Sequence, residues 1–175
     1  KIKLIPNHGI LFWVTGLSGS GKTRISKKIS SQIRKNYGKT LVLSGDEIRN
    51  IFNMKGYSNE ERLITALKYC KLAKKITSQN INVILAVIGM RDYLRDWNKK
   101  NQKNYVEIYI KTDLKKIIKE KKKKIYHNNT SQIVGISNIS EIPKNPHIIL
   151  NNSFKKSINQ LSEVLLKRIN NLINQ

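Results

Sequence analysis

The sequence predicts an α/β protein, a parallel β-sheet with helices on both faces, folded as one domain over residues 1–175. Three observations carry that expectation. Apolar, strand-like runs alternate with segments of helical periodicity along the chain. The first apolar run stops at a glycine-rich stretch that leads straight into a helix pattern. The length of 175 residues suits one domain with a real core, and no repeat or inter-domain linker divides it.

Residues 10–15 are continuously apolar ahead of a glycine, the mark of a strand buried on both faces. Residues 22–36 place Ile25, Ile29 and Ile33 on one helical face, with Gly38 as the stop. A short second strand is expected at 40–43 and a helical turn or short helix at 46–53. A long helix at 59–79 carries Leu63, Leu67, Cys70, Ala73 and Ile76 near helical spacing. The third strand, 82–88, is strongly apolar. A helix at 91–100, a fourth strand at 105–110 and a basic helix at 114–124 follow. The polar, Ser/Asn-rich stretch 128–145 reads as a mobile loop. A short fifth strand at 147–150 precedes an amphipathic closing helix at 154–173. Ligands of parallel sheets bind beyond the carboxyl ends of the strands. Function is therefore expected at 15–23, 44–49 and 88–92.

Composition narrows the classes. Against 11 Asp and Glu stand 34 Lys and Arg, a formal net charge of +23. Such a field suits acidic partners, from nucleic acid to small phosphorylated molecules. The chain is also rich in Asn and Ile, whose A/T-rich codons resemble those of Lys, so genome bias is the competing explanation. The densest run, KKIIKEKKKK at 115–124, lacks the interleaved aromatics of a single-strand-binding surface, and nucleic acid is not the expected partner. No apolar run nears the ~20 residues of a membrane span. Residues 1–9 hold no apolar core of signal-peptide length. The single cysteine, Cys70, precludes an internal disulfide and is expected to be a packed thiol. The expected location is the cytoplasm. His8, His127 and His147 lack metal-ligand spacing. Trp13 is expected in the core and Trp97 in the core or at a dimer contact.

The stretch Gly16-Leu17-Ser18-Gly19-Ser20-Gly21-Lys22-Thr23 matches G-x-x-x-x-G-K-[ST] in full. Its glycines let backbone N–H groups turn inward around a phosphate, and the helix that starts near Lys22 adds the positive end of its dipole. Lys22 can reach β- and γ-phosphate oxygens, and Thr23 can place its hydroxyl on Mg²⁺. The motif implies a nucleoside triphosphate without separating a kinase from a switch or a motor. The second constellation is LVLSGDEIRN, 41–50. Asp46 at that strand end lies across the crevice from the phosphate loop. It can accept a proton from an attacking hydroxyl or bind Mg²⁺ through water. Arg49, one helical turn on, can fix an acceptor's phosphate or ribose. The plain structural alternative is an N-cap Asp followed by an exposed Arg.

WVTGLSGSGKT, LSGDEIR, GYSNEER and VILAVI, in that order, resemble the adenylylsulfate kinase family from about residue 10 to 150. That family phosphorylates the ribose 3′-hydroxyl of adenosine 5′-phosphosulfate with MgATP. The resemblance implies a P-loop kinase fold with a mobile lid at about 121–145, and a homodimer. It implies Gly16, Ser18, Gly19, Ser20, Gly21, Lys22 and Thr23 for ATP, and Asp46 as catalytic base or metal-side acid beside Lys22. It implies Arg49 and Arg62 on a small acidic nucleotide, Tyr57 stacked on its base, and Ile88 and Gly89 beside it at the third strand end. Tyr126 falls at the family's lid tyrosine.

The departures lie on the acceptor side. The family's Asp-Gly-Asp is Ser44-Gly45-Asp46 here, and its Asn and paired arginines after Arg62 are LITALK. Its Ser-Pro at the third strand end is Gly89-Met90. Its lid Phe-Thr-Gly-Ile-Asp is Ile133-Val134-Gly135-Ile136-Ser137, without the stacking Phe or the Asp. Stacking and buried polar contacts are worth roughly 1–3 kcal/mol each, so adenosine phosphosulfate should bind poorly. Cytidine diphosphoramidate kinases of capsule phosphoramidate pathways resemble this family and also act on a ribose 3′-hydroxyl. Three readings stay open: a kinase of cytidine diphosphoramidate, a kinase of adenosine phosphosulfate, and a nucleotide-gated nucleic-acid-binding protein.

Overall fold

The computed structural model describes residues 1–56, 58–120 and 140–173. Five strands form one all-parallel sheet: β1 (Ile10–Thr15), β2 (Thr40–Ser44), β3 (Asn82–Ala86), β4 (Asn104–Lys111) and β5 (Ile148–Asn151). Their order is β2-β3-β1-β4-β5. The helices are α1 (Lys22–Tyr37), α2 (Gly45–Ile51), α3 (Asn59–Thr77), α4 (Asp92–Asn101), α5 (Leu114–Lys119) and α6 (Ile158–Ile173). The chain leaves central β1 for the β2 edge, returns through β3, and then crosses to β4 and β5. That reversal opens a crevice at the carboxyl end of β1.

Side-chain alternation along β1 builds two cores, one on each face of the sheet. Ile10, Phe12 and Val14 pack with Ile25, Ile29 and Ile33 of α1 and Leu161, Leu165 and Ile169 of α6. Leu11 and Trp13 face the other way, onto Tyr69, Cys70 and Ala73 of α3 and Leu94 of α4. The apolar face predicted for the first helix is fully buried at all three isoleucines. Cys70 is the packed thiol expected, and burial pushes its pKa up to about 12.

Several boundaries shift, each for a local reason. The third strand leaves the ladder at Ala86, two residues before the expected Ile88. Gly89 then turns the chain at φ +45, and a Cβ there would stand 2.5 Å from the Trp13 ring. Only glycine lets this turn close over the indole. The last helix starts at Ile158 and not at 154, because Phe154 sits at φ +64, outside helical space. The short helix after β2 is capped by Ser44, whose side chain accepts from Glu47 N while Glu47 Oε2 accepts from Ser44 N, a reciprocal capping box. Asp46 is therefore not the N-cap. The fifth helix ends at Lys119 with Glu120 as its C-cap, short of the expected 124, while residues 121–124 and most of 128–145 lie outside the described residues. No described helix is long and apolar enough to cross a membrane.

Candidate active site

The loop between β1 and α1 follows the glycines. Gly16, Gly19 and Gly21 take φ of +148, +82 and +92. Gly16 also needs its missing side chain, since a Cβ would lie 2.6 Å from Ile110 O. Gly21 caps α1 without any side-chain bond, and the first turn of that helix holds no acidic residue. The helix end is thus left for an anion. Lys22 is 8% exposed, and its Nζ donates to Leu17 O at 2.6 Å, folded back along the loop. Ser20 Oγ is buried and has no hydrogen-bond partner among the described residues.

This loop walls one side of a cleft of about 740 Å³, within the usual size of a small-molecule site. Ser18, Gly19, Gly21, Lys22 and Thr23 line that side. Asp46 and Arg49 line it from α2, and Arg62 from α3. Ile88 and Gly89 line it from the end of β3. Ten of the residues named from sequence therefore share one cleft. Gly16 and Ser20 shape the loop from beneath. Tyr57, Tyr126 and the lid core at 121–139 lie outside the described residues.

Geometry refines two of these residues. With capping done by Ser44 and Glu47, the plain N-cap explanation of Asp46 falls away. Asp46 occupies the first turn of α2, where a carboxylate is favoured by the dipole, and its side chain lines the cleft. Arg49 has more than one task. Its Nη1 donates to Met54 O at 3.1 Å and Gly56 O at 2.9 Å, tying down the loop from α2 to α3.

Four residues around the site were not named one by one from sequence; Thr15 and Arg91 lie within the expected strand ends 15–23 and 88–92, and Tyr69 and Asn152 lie outside them. Asn152, just past β5, is 3% exposed and donates from Nδ2 to Ser20 O at 2.9 Å. Its backbone N donates to Lys111 O and its Oδ1 accepts from Phe154 N, so it pins the phosphate loop to the ends of β4 and β5. Its signal was its place at the fifth strand end, the position where ligands of such sheets gather. Thr15 Oγ1 donates to Ile88 O, joining the ends of β1 and β3. Tyr69 OH donates to Gly45 O at 3.3 Å beneath Asp46. Arg91 lines the β3–α4 corner.

Comparison with known proteins gives a consistent set. A match to the family described as adenylylsulphate kinase covers residues 8–151. The cytidine diphosphoramidate kinase of Campylobacter jejuni subsp. jejuni serotype O:2 is 32% identical over 169 residues, spanning 94% of this chain and 99% of that protein. The adenylyl-sulfate kinase of Bacteroides thetaiotaomicron is 28% identical over 179 residues, spanning 97% of this chain and 89% of that protein. Among solved structures, the Mycobacterium tuberculosis APS kinase CysC in complex with AMPPNP and APS superposes with a TM-score of 0.82. It is 22% identical, and the match covers 94% of this chain and 99% of that one, a likeness of fold.

Proposed function

The chain belongs to the adenylylsulphate kinase family, and from that premise we propose that it transfers the γ-phosphate of ATP to the ribose 3′-hydroxyl of a small acidic nucleotide. The preferred acceptor is cytidine diphosphoramidate. Adenosine phosphosulfate is the alternative. The observation that carries the reading is the convergence of the phosphate loop, Asp46, Arg49 and Arg62 on one cleft. The choice of acceptor is supported by the higher identity to the cytidine diphosphoramidate kinase, 32% against 28%. It is supported also by Gly89-Met90 in place of the family's Ser-Pro, with Gly89 closed onto Trp13.

Phosphoryl transfer asks a protein mainly for position and charge. The loop amides and the α1 N-terminus hold the phosphates of ATP. Lys22 is already at the loop, and moving its ammonium from Leu17 O to a β- or γ-phosphate oxygen neutralises charge as it develops. Arg49 and Arg62 hold the acceptor nucleotide. Asp46 orients the 3′-hydroxyl and receives its proton. Thr23 and Asp46 offer the hydroxyl and carboxylate oxygens that suit Mg²⁺. No cluster of three His, Cys, Asp or Glu able to hold a metal occurs among the described residues. Thr23 and Asp46 would hold Mg²⁺, which would supply positive charge to offset the phosphates.

The test is a competition. MgATP, cytidine diphosphoramidate and adenosine phosphosulfate are supplied together and the phosphorylated products followed by mass. The 3′-phosphorylated cytidine product should dominate. A tenfold preference in kcat/KM for adenosine phosphosulfate, about 1.4 kcal/mol, would make the alternative correct. Asp46→Ala should lower turnover by about two orders of magnitude or more at unchanged stability. RNA-stimulated ATP hydrolysis with no nucleotide phosphorylated would instead favour a nucleic-acid-binding protein. We also infer a cytoplasmic homodimer, on the family resemblance; light scattering giving the mass of one chain would refute the dimer.

A further inference from the structure

At the carboxyl end of β3 the chain enters α4 through Ile88, Gly89, Met90 and Arg91, and all four line the cleft. Arg91 is the N-cap residue of α4, in extended backbone at φ −134, ψ 129, and its side chain makes no cap bond. The cap comes from elsewhere: Glu141 Oε2 accepts from Asp92 N. Glu141 is also fixed through its backbone. Its N donates to Met90 O at 2.9 Å, and its O accepts from Arg95 Nη2 at 2.8 Å. Arg95 is 2% exposed. It pairs with the Asp92 carboxylate and, at 3.6 Å, with Glu107 Oε1, itself 1% exposed. The Glu141 carboxylate, itself 37% exposed, is thus held by several ties, through its own backbone and the Asp92 amide.

Arg91 does not. Its side chain is 29% exposed, and its ion pair with Glu141 Oε1 is 3.7 Å long, beyond hydrogen-bond length. A partly exposed pair of that length is weak. A guanidinium forked onto phosphoryl oxygens at about 2.7–2.9 Å is much stronger. A cation on the cleft wall, loosely tied to an anion that has other ties, is built to be exchanged.

We propose that Arg91 reads the negative charge on the acceptor's 5′ group. It leaves Glu141 for a phosphoryl oxygen of the acceptor, and Glu141 sets the threshold by competing for the same guanidinium. This rests on the kinase reading above and adds a specificity-determining residue to it.

Calorimetry tests the idea without turnover. The phosphate loop is first saturated with Mg-AMPPNP, and cytidine 5′-diphosphate and cytidine are then titrated as charged and neutral probes of the acceptor side. Wild type should bind the diphosphate more tightly than cytidine. Arg91→Met should weaken the diphosphate at least about tenfold, the value of one charged hydrogen bond, and leave cytidine unchanged. Glu141→Gln keeps an oxygen for the Asp92 amide but removes the competing charge, so it should bind the diphosphate more tightly than wild type. A purely structural pair would make both variants weaken both probes. That result overturns the proposal, as does a wild type that fails to distinguish the two probes. Should Arg91→Met not fold, Arg91→Lys and Glu141→Gln decide, the first expected to keep most of the discrimination and the second to sharpen it. Charge-selective binding with no phosphorylated product in the competition would refute the kinase reading alone.

Discussion

Asn152 shows how a residue distant in sequence governs the phosphate loop. Its amide reaches Ser20 O inside a buried environment. Asn152→Ala would leave that carbonyl unpaired, a cost of about 1–3 kcal/mol. The expected outcome is a rise of roughly tenfold in KM for ATP, since about 1.4 kcal/mol is a factor of ten, together with a lower melting temperature. A lower melting temperature with unchanged KM would confine Asn152 to a structural task. The same residue marks what the sequence could tell. Gly16 to Thr23 was readable because the motif is local, all of it within eight consecutive positions. Asp46 and Arg49 were readable because a strand end and one helical turn set their direction. Asn152, and Glu141 at Arg91, act across long stretches of chain that no spacing reveals. The capping box at Ser44 and Glu47 was local and readable in principle, and it settles the placing of Asp46 more firmly than the Gly-Asp pair alone.

Among the elements, the buried strands and the first and last amphipathic helices were legible because their periods of burial are strong. Boundaries failed where one backbone angle decided them, at Gly89 and at Phe154. The fifth strand is short, and a side chain extends it. Glu107 N, one residue before the β4–β5 ladder begins at Ile108↔Ile148, donates to His147 Nδ1 at 2.9 Å. The ring must be neutral at Nδ1 to accept that bond. Burial, and then the Lys99 ammonium, lower its pKa below 6.5. Unfolded chains therefore bind more protons than folded ones between the folded value and 6.5. Stability from this contact is complete above 6.5 and is lost as pH falls through the folded value. Glu107 acts with the opposite sign, because burial raises its carboxyl despite Lys99 and Arg95. The difference between wild type and His147→Asn isolates the histidine. Urea midpoints should fall more steeply below pH 6.5 in wild type, and parallel curves would exclude His147 as the cause.

For the whole molecule, alternation of strands and helices implied a parallel sheet, but not which strands are neighbours. The order β2-β3-β1-β4-β5 arises when the chain reverses direction around β1. Pairing across such distances leaves no mark in a window of sequence. The net charge of +23 is likewise visible in composition while its use is not. The position of β1 has one more consequence. It places Trp13 at the centre of the sheet, fully buried, with an indole nitrogen that has no hydrogen-bond partner among the described residues and a ring that lies directly under Gly89. The chain has one other tryptophan, half-buried Trp97 with the Lys74 ammonium 5.9 Å from its ring centroid. The protein therefore carries its own fluorophore directly beneath Gly89, a residue of the cleft wall. In Trp97→Phe the remaining emission comes from Trp13 and should be blue, as suits a dry ring. Nucleotide seated over Gly89 should shift or quench it, and Mg-AMPPNP on the phosphate loop should not. Emission unmoved by saturating acceptor would put that ligand somewhere other than the corner of β3 and α4.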